Sequence, residues 1–440
     1  MATSSGSATR RYPVVWNGEP RDLELPAERV AAELRFRDLP ALPDPAAAIL
    51  GALESPISAP PLRDLVRPGS SVAILVGDRM TDYMLGSRDG LAFPLLDHLN
   101  ALGVRDRDVT IVYACGMHPH PQARDRLGAA LLSRVRLVEH EAEDDGQLAY
   151  MGTTSRGTPV WVNRAVAEAD ARIGVGEVSP VGPAGWCGGG KIVLPGVAGR
   201  DTIEQNHRMA LSPEVRLGAI ERNPIRQDME EAAALARLDL KVDLLVNSDE
   251  AIVAVYAGGF REEWRAALPL AEAIWTTPMA PTDVAVVYPG DTRERYLSNP
   301  VYMTINIADA MTRPGGAIVL ALSAAGGWSP AGDGGAHTPT REMFAQSAHQ
   351  MARQLVRSQG SIRALHMSYM AKKVVEAKPV FLYCDGVADS EAKSLGFAGA
   401  FDTLAGALAA ASEAAGGQNA SLSAAFPRGI QWRMMPRLPR

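Results

Sequence analysis

The segment GWCGGGKIVLPG, residues 185–196, places a single lysine, Lys191, among five glycines and a proline. Glycines let a phosphate or a flat ring approach the backbone closely, and a lysine supplies a positive charge or a nucleophilic amine. Residues 185–191 fit the P-loop pattern G-x-x-x-x-G-K, but Ile192 stands where that motif needs Ser or Thr to hold Mg²⁺. Pro195 also interrupts the helix that should begin at the lysine. The segment therefore does not favour an NTPase, and a glycine-rich turn with a solvated lysine is the simple structural alternative.

A longer block around this segment, EADARIGVGEVSPVGPAGWCGGGKIVLPGVAGRDTIEQNH, ends at His207. The block resembles the corresponding segment of the lactate racemases that use a nickel-pincer nucleotide. Two earlier segments, PLRDLVRPGSSVAILVGD and ACGMHPHP, resemble further parts of the same family. The resemblance therefore extends over nearly the whole chain, and its lysine-to-histidine spacing is far more specific than a lone glycine motif.

The resemblance implies a cofactor, the nickel-pincer nucleotide pyridinium-3,5-bisthiocarboxylic acid mononucleotide, with nickel held between two sulfurs and a ring carbon. It implies that Lys191 carries the cofactor covalently and that His207 is the metal ligand. Sulfur and imidazole suit Ni(II) in planar geometry, and bare backbone should let the ring and the phosphate approach. The remaining cofactor-binding residues that we expect are Asp78, Thr81, Gly188, Gly189 and Gly190.

The reaction that the resemblance implies is the racemisation or epimerisation of a 2-hydroxy acid. A histidine, matched here by His118, takes the hydroxyl proton while hydride moves from C2 of the substrate to the cofactor. The resulting 2-keto acid takes hydride back on its other face. Histidine suits this role because its pKa lies near working pH.

The sequence departs from the family at positions that contact the substrate. Inversion needs a proton acceptor on each face, yet Val181 stands where family members carry a second histidine. Thr81 stands at the place of an arginine, and Met303 aligns with a lysine. We therefore expect the cofactor to be retained and the substrate to differ from plain lactate.

Four residues are candidates for the missing base: His120, His337, His366 and Glu177. We take His118, Lys191 and His366 as the catalytic set. One alternative is an oxidoreductase-like enzyme that transfers hydride on a single face, because one base suffices for that reaction. Another alternative is a protein that binds the cofactor without catalysis.

Strand-like apolar runs alternate with helical patterns along most of the chain. Examples are SVAILV (71–76), VTIVYAC (109–115), DVAVVY (283–288), GAIVLAL (316–322) and KPVFLYC (378–384). Short continuous apolar runs are typical of parallel strands that are covered on both faces. The pattern predicts an α/β protein with two α/β domains, mostly parallel sheets, and an active site in the cleft between the domains.

The expected domain boundaries follow from this alternation and from the proline- and threonine-rich stretch WTTPMAPTD (275–283). Residues 1–12 are expected to form a flexible tail and residues 13–275 the N-terminal cofactor-binding domain. Residues 420–440 are a candidate final strand of that domain, and residues 283–418 are expected to form the C-terminal domain.

The composition limits the classes of partner. The 440 residues include 47% hydrophobic residues, carry a net charge of −6, and show no block of like charge, which argues against nucleic acid and anionic membranes. Three widely spaced cysteines are typical of reduced thiols in a cytoplasmic protein. The partners that we expect are a small hydroxy acid substrate and, transiently, the enzymes that make the cofactor.

Overall fold

The computed structural model describes residues 8–78, 80, 90–118, 123–329, 339–358 and 361–437. The chain forms two compact units. The central unit is Asp38–Ile274, and the terminal unit combines residues 8–37 with residues 275–437.

The strands are β1 (Thr9–Trp16), β2 (Glu19–Pro26), β3 (Val30–Glu33), β4 (Val72–Gly77), β5 (Val109–Ala114), β6 (Arg136–Glu139), β7 (Leu148–Thr153), β8 (Pro159–Asn163), β9 (Ala171–Glu177), β10 (Pro180–Val181), β11 (Gly185–Trp186), β12 (Leu240–Val246), β13 (Ile252–Gly258), β14 (Thr276–Thr277), β15 (Thr282–Val287), β16 (Thr312–Ala321), β17 (Val380–Tyr383), β18 (Gly399–Phe401), β19 (Leu422–Ala425) and β20 (Met435–Pro436).

The α-helices are α1 (Pro45–Glu54), α2 (Leu62–Leu65), α3 (Ala92–Ala101), α4 (Ala123–Leu127), α5 (Ala129–Leu132), α6 (Arg164–Ala167), α7 (Arg200–His207), α8 (Pro224–Leu235), α9 (Glu262–Trp275), α10 (Asn299–Tyr302), α11 (Thr304–Met311), α12 (Arg341–Ala345), α13 (Ala348–Arg357), α14 (Ile362–Ala377), α15 (Asp389–Ser394) and α16 (Leu404–Ala414). Short 3-10 helices are Ala27–Arg29, Asp106–Asp108, Asp145–Gln147, Gly189–Ile192, Arg208–Leu211 and Gly429–Arg433.

The central unit is built on a six-stranded sheet with the order β13-β12-β9-β4-β5-β6. Neighbouring strands run parallel except for β13, which pairs antiparallel with β12. Strands β9 and β12 are buried at every position, as expected for strands that are covered on both faces. Strands β4, β5 and β6 are added one after another toward one edge of the sheet. Strand β9 then pairs with the other side of β4, so the strand order reverses between β4 and β9.

The terminal unit has a second six-stranded sheet, with the order β18-β17-β16-β15-β19-β3. All its strand pairs are parallel. The predicted α/β class with mostly parallel sheets is therefore confirmed for both units.

The hairpin of β1 and β2 belongs to the core of the terminal unit. Its turn is made by Asn17 and Gly18, which have φ angles of 53° and 87°, as the tight turns that join twisted antiparallel strands require. Inward-facing side chains of the hairpin, such as Trp16 and Leu25, share one apolar cluster with β15, β16, β17, β19 and α16. The hairpin therefore buries apolar side chains in this unit.

The units differ in two places from the domains that we expected from the sequence. Residues 13–37 lie in the terminal unit, because β3 pairs with β19. Residues 420–437 lie there too, since β19 also pairs with β15 and β20 pairs with β14. Part of the expected flexible tail, residues 9–12, belongs to β1. The boundary expected near residue 280 lies close to the observed one at Trp275.

Among the described residues, we find no helix that combines the length and the apolar character needed to cross a membrane.

Asp283 links three strands of the terminal sheet and offers a test of its stability. The Asp283 carboxylate, on β15, accepts hydrogen bonds from the Ser421 amide (2.8 Å) and hydroxyl (2.6 Å), just before β19, and from Arg313 Nε (2.5 Å) on β16. The Ser421 and Arg313 hydrogen bonds lower the pKa of Asp283 from 3.8 to about 2. The charge of Asp283 therefore stabilises the fold above its unfolded pKa, and this contribution is lost as the pH falls toward about 2.

We expect Asp283→Asn to lower the free energy of unfolding by about 1–2 kcal/mol at neutral pH, with a difference from the wild type that shrinks as the pH falls. Urea denaturation of both proteins across the acid range measures this difference. A difference that is independent of pH would show that the Asp283 charge is not what stabilises the sheet.

Candidate active site

The carboxyl ends of β4 and β9 are neighbours at the point where the strand order of the central sheet reverses. In open α/β sheets, ligands bind in the crevice at such a point. Asp78 directly follows β4, Glu177 is the last residue of β9, and His118 lies four residues after the end of β5. The topology alone therefore brings three side chains that can carry protons to one edge of the sheet.

A cavity of about 540 Å³, including its part that is open to solvent, lies at this edge. Its lining includes the ionisable residues Asp78, His118, Glu177, Lys191 and Lys241. All of these residues belong to the central unit.

Asp78 and His118 form a hydrogen-bonded pair in this cavity. Oδ2 of Asp78 lies 2.5 Å from Nδ1 of His118. A carboxylate at this position fixes the tautomer with the proton on Nδ1, which leaves Nε2 as the ring nitrogen that accepts a proton. The pair is therefore suited to general base catalysis.

The backbone of Asp78 is also held. Its carbonyl oxygen accepts a hydrogen bond from Arg126 Nη1 (2.5 Å) on α4 and one from the Tyr113 hydroxyl (3.3 Å) on β5. These bonds tie the end of β4 to neighbouring elements, so the carboxylate that orients His118 is itself fixed in place.

Lys191 is the third residue of the 3-10 helix Gly189–Ile192 and is partly exposed in the cavity. The next α-helix, α7, begins only at Arg200, so the arrangement is not that of a P-loop. Within the described parts of the chain, the Lys191 ammonium makes no hydrogen bond or ion pair with a protein group. Its amine is therefore accessible to a bound molecule.

The glycine-rich segment before Lys191 is held by buried side chains. The carbonyl of Trp186 accepts from Arg226 Nη1 (3.1 Å), and the carbonyl of Cys187 accepts from Trp264 Nε1 (2.8 Å). The guanidinium of Arg226 in turn lies 3.5 Å from the centre of the Trp264 ring. Helices α8 and α9 thus supply partners for backbone groups that would otherwise be buried without them.

The amide of Gly189 is bound by a charged residue of β12. Its N–H donates to Oδ2 of Asp243 (2.8 Å), and Oδ1 of the same carboxylate accepts from the ammonium of Lys241. Lys241 and Asp243 are both fully buried. Burial, reinforced by the charge of Asp243, raises the pKa of Glu263 well above its usual value.

The three successive glycines make room for this packing. A Cβ at Gly188 would lie 2.7 Å from Asp243 Oδ2, one at Gly189 would lie 2.5 Å from Arg226 Nη2, and one at Gly190 would lie 3.0 Å from the carbonyl of Met229. Gly188 and Gly189 also have positive φ angles, 88° and 56°. The contacts that require glycine here are therefore made with the protein itself, whereas the sequence suggested contacts with a ring and a phosphate.

The other expected site residues lie outside the lining of this cavity or outside the described residues. His207 ends α7 with a buried side chain, and the described lining residues include Lys191 but not His207. Val181 is buried in the β10–β11 hairpin. Thr81, His120 and His337 lie outside the described residues.

His366 lies on α14 in the terminal unit and is 2% exposed. Its Nδ1 lies 3.2 Å from the carbonyl of Ile362 on the same helix. Burial lowers the pKa of His366 to about 4, so the ring is neutral at pH 7. This environment is that of a histidine packed in a core, and we leave His366 out of the mechanism proposed below.

The buried ionisable residues on β12, α8 and α9 were not predicted from the sequence. A signal was present, because Lys241 and Asp243 alternate along an otherwise apolar run and so face the same side of a strand. The pattern could have shown a buried charge pair, but not that it binds the Gly189 amide.

The chain is similar to known proteins in sequence and in fold. Residues 17–218 match the family model of the lactate racemase N-terminal domain. The lactate racemase of Thermoanaerobacterium thermosaccharolyticum is 28% identical over 284 residues, and that of Lactiplantibacillus plantarum is 26% identical over 285 residues. Over these residues the chain is similar in sequence to the lactate racemases. Each alignment covers 63% of this chain and 65% of the relative, just under two thirds of its length.

The likeness to lactate racemase extends to the fold. The apoprotein structure from T. thermosaccharolyticum matches with a TM-score of 0.82 at 22% identity, over 98% of this chain and 100% of that chain. A Thermotoga maritima protein matches with a TM-score of 0.61 at 16% identity, over 92% of this chain and 100% of that chain. At these identities the matches show the fold alone.

A metal site made only of protein side chains is not evident. In the described ranges, no three His, Cys, Asp or Glu side chains are grouped so that they could hold a metal ion. Burial raises the pKa of the Cys115 thiol, which lines the cavity, to about 12, so this cysteine is not a thiolate at neutral pH.

The packing around Gly189 gives a prediction. Gly189→Ala should lower the free energy of unfolding by about 2–4 kcal/mol, because a left-handed backbone conformation and a clash with Arg226 add together. Gly157→Ala is the matched control, since Gly157 has a φ of 79° and nothing within 4 Å of its Cβ position. In that variant the free energy of unfolding should fall only by the cost of the left-handed backbone conformation, about 1 kcal/mol. Thermal and urea unfolding measure both losses, and equal losses would contradict close packing at Gly189.

Proposed function

We propose that this protein is an isomerase that interconverts the stereoisomers of a 2-hydroxy acid, or of a related hydroxy-carboxylate other than plain lactate. The single observation that carries the proposal is that Lys191 and the hydrogen-bonded Asp78–His118 pair line one cavity. This cavity lies where the strand order of the central sheet reverses. The names of the curated relatives support the racemase class. The reaction would proceed by hydride transfer to a nickel-pincer nucleotide.

The residues in the cavity fit such a cofactor at its attachment point. The Lys191 amine has no protein partner among the described residues, and Lys191 lines the cavity together with His118 and Asp78. Lys191 would carry the cofactor covalently, and His207 would supply a neutral imidazole as the nickel ligand. When bound, the cofactor would supply reversible acceptance of hydride from C2 of the substrate.

His118 would move the proton. Its Nε2 takes the proton of the substrate hydroxyl, and the carboxylate of Asp78 stabilises the imidazolium that results. Asp78 is oriented in turn by the bonds from Arg126 and Tyr113 to its carbonyl. The protein thus positions a base at an edge of the sheet while the cofactor performs the redox chemistry.

The proposed change of substrate rests on Met303. This residue, aligned with a lysine of the family, is apolar and 1% exposed, so it cannot bind a carboxylate. A substrate with a different shape or a different anionic group would not need that lysine.

Single-face hydride transfer is the second candidate function, and one observation favours it. Val181, which replaces a histidine of the family, is apolar and 2% exposed, so it cannot transfer protons. An enzyme that has no other base would oxidise and reduce one stereoisomer on one face, with retention of configuration. A cofactor-binding protein without turnover would do neither.

The covalent attachment can be tested by mass. Protein produced together with the cofactor-synthesis enzymes should show an increment in intact mass, and Lys191→Ala should abolish it because the attachment amine is gone. Lys393→Ala, at an exposed lysine of α15, is the control and should keep the increment. An increment that persists in Lys191→Ala would refute the attachment at this lysine.

The role of the Asp78–His118 pair can be tested by rate. His118→Gln should reduce interconversion by about 10²- to 10⁴-fold, because a general base is lost, while the cofactor mass increment is retained. Asp78→Asn should also reduce the rate, since an amide no longer fixes the tautomer. Interconversion of C2-deuterated hydroxy acids followed by NMR measures both effects. Rapid interconversion in His118→Gln would falsify the assignment of the base.

A further inference from the structure

Glu177 is an acidic residue in the cavity that the proposed function has not yet used. It ends β9 and is 8% exposed. Glu177 lines the same cavity as His118 and Lys191, and its Oε1 accepts a hydrogen bond from the Ser179 hydroxyl (3.1 Å). The Ser179 hydroxyl thus holds the carboxylate at the site.

Glu177 and His118 come from opposite sides of β4. Strand β9 lies on one side of β4 and β5 on the other, and His118 follows β5. Neighbouring strands are about 4.8 Å apart, so the ends of β9 and β5 are separated by about 10 Å. A small acid that is bound above the end of β4 would therefore lie between the two side chains.

Other side chains in the lining are poorer proton acceptors. Asp78 is engaged with His118, and burial raises the pKa of the Cys115 thiol to about 12. Lys241 donates to Asp243. Among the ionisable lining residues considered, His118 and Glu177 remain as a pair of bases on flanking strands.

Resting on the proposed function, we propose that Glu177 is the second proton-transfer residue and serves the substrate face opposite His118. For the stereoisomer whose hydroxyl points to Glu177, the O–H bond breaks and the carboxylate takes the proton. The C2–H bond breaks at the same time, its hydrogen leaves with the electron pair to the hydride acceptor, and the C–O bond becomes a carbonyl. His118 does the same for the other stereoisomer, and each step in reverse returns the proton.

The test compares Glu177→Gln with His118→Gln on separate stereoisomers. Glu231→Gln is the matched control, because Glu231 also accepts a serine hydroxyl, that of Ser155, at 2.7 Å. Cofactor-loaded enzymes are mixed with the D- or L-isomer of each member of a panel of 2-hydroxy acids that includes mandelate, with lactate as the reference, and the 2-keto acid formed in a single turnover is trapped. Glu177→Gln should form the 2-keto acid about 100-fold or more slowly from one isomer. His118→Gln should show the same loss of rate with the other isomer, while Glu231→Gln should match the wild type with both.

The outcomes separate the two proposals. Glu177 is not the second base if Glu177→Gln converts both isomers at the wild-type rate, or if its rates with the two isomers fall equally. The proposed function stands in either case. If the loaded wild-type enzyme forms no keto acid from any isomer, the proposed function fails and this proposal fails with it.

A second measurement needs no cofactor. Binding of each isomer to the apoprotein is followed by calorimetry, because a hydrogen bond between the substrate hydroxyl and Glu177 contributes to affinity before any reaction. Glu177→Gln should weaken the binding of one isomer by about tenfold relative to the other. Equal weakening of both isomers, with Glu231→Gln unchanged, would overturn the proposal.

Discussion

The buried carboxylate of Asp243 accepts hydrogen bonds from the ammonium of Lys241 and from the backbone amide of Gly189. This arrangement determines where the glycine-rich segment lies, and therefore where Lys191 points. A buried ion pair contributes little to stability by itself, because desolvation offsets the attraction. Removing one partner is costly, however, and that cost restricts the segment to one position. The cavity is thus fixed on one side by the charges of β12 and on the other by Asp78 and His118.

Much of the fold could be predicted from the sequence, because buried parallel strands are short continuous apolar runs. The runs at β4, β5, β15, β16 and β17 were identified, and the α/β class followed from them. The glycine-rich segment and His118 were also identified, since their spacing resembles a known family. Lys191 and His118 do line one cavity; the metal-ligand role of His207 stays a prediction.

The parts that could not be predicted depend on contacts between distant segments. Nothing in the short strand β3 shows that it pairs with β19. Residues 13–37 were therefore expected in the domain that follows them in the sequence, whereas they belong to the terminal unit. The need for glycine at 188–190 comes from α8, α9 and β12, which lie far along the sequence. His366 was expected to be a base because of its residue type. Its burial on α14, which lowers its pKa, depends on packing that the sequence does not show.

The terminal unit is interrupted in the sequence by the whole central unit, since β3 precedes the central unit and its partner β19 follows it. On the ribosome, β1, β2 and β3 emerge long before the strands beside which they pack. Domains generally fold as units during synthesis, so the central unit can fold while β3 still lacks its partner strand β19 and the β1–β2 hairpin lacks the core on which it packs. Exposed strand edges promote aggregation, and the charged residues Arg10, Arg11, Glu19, Arg21, Asp22 and Glu24 along the hairpin would help to keep it in solution until translation reaches β19.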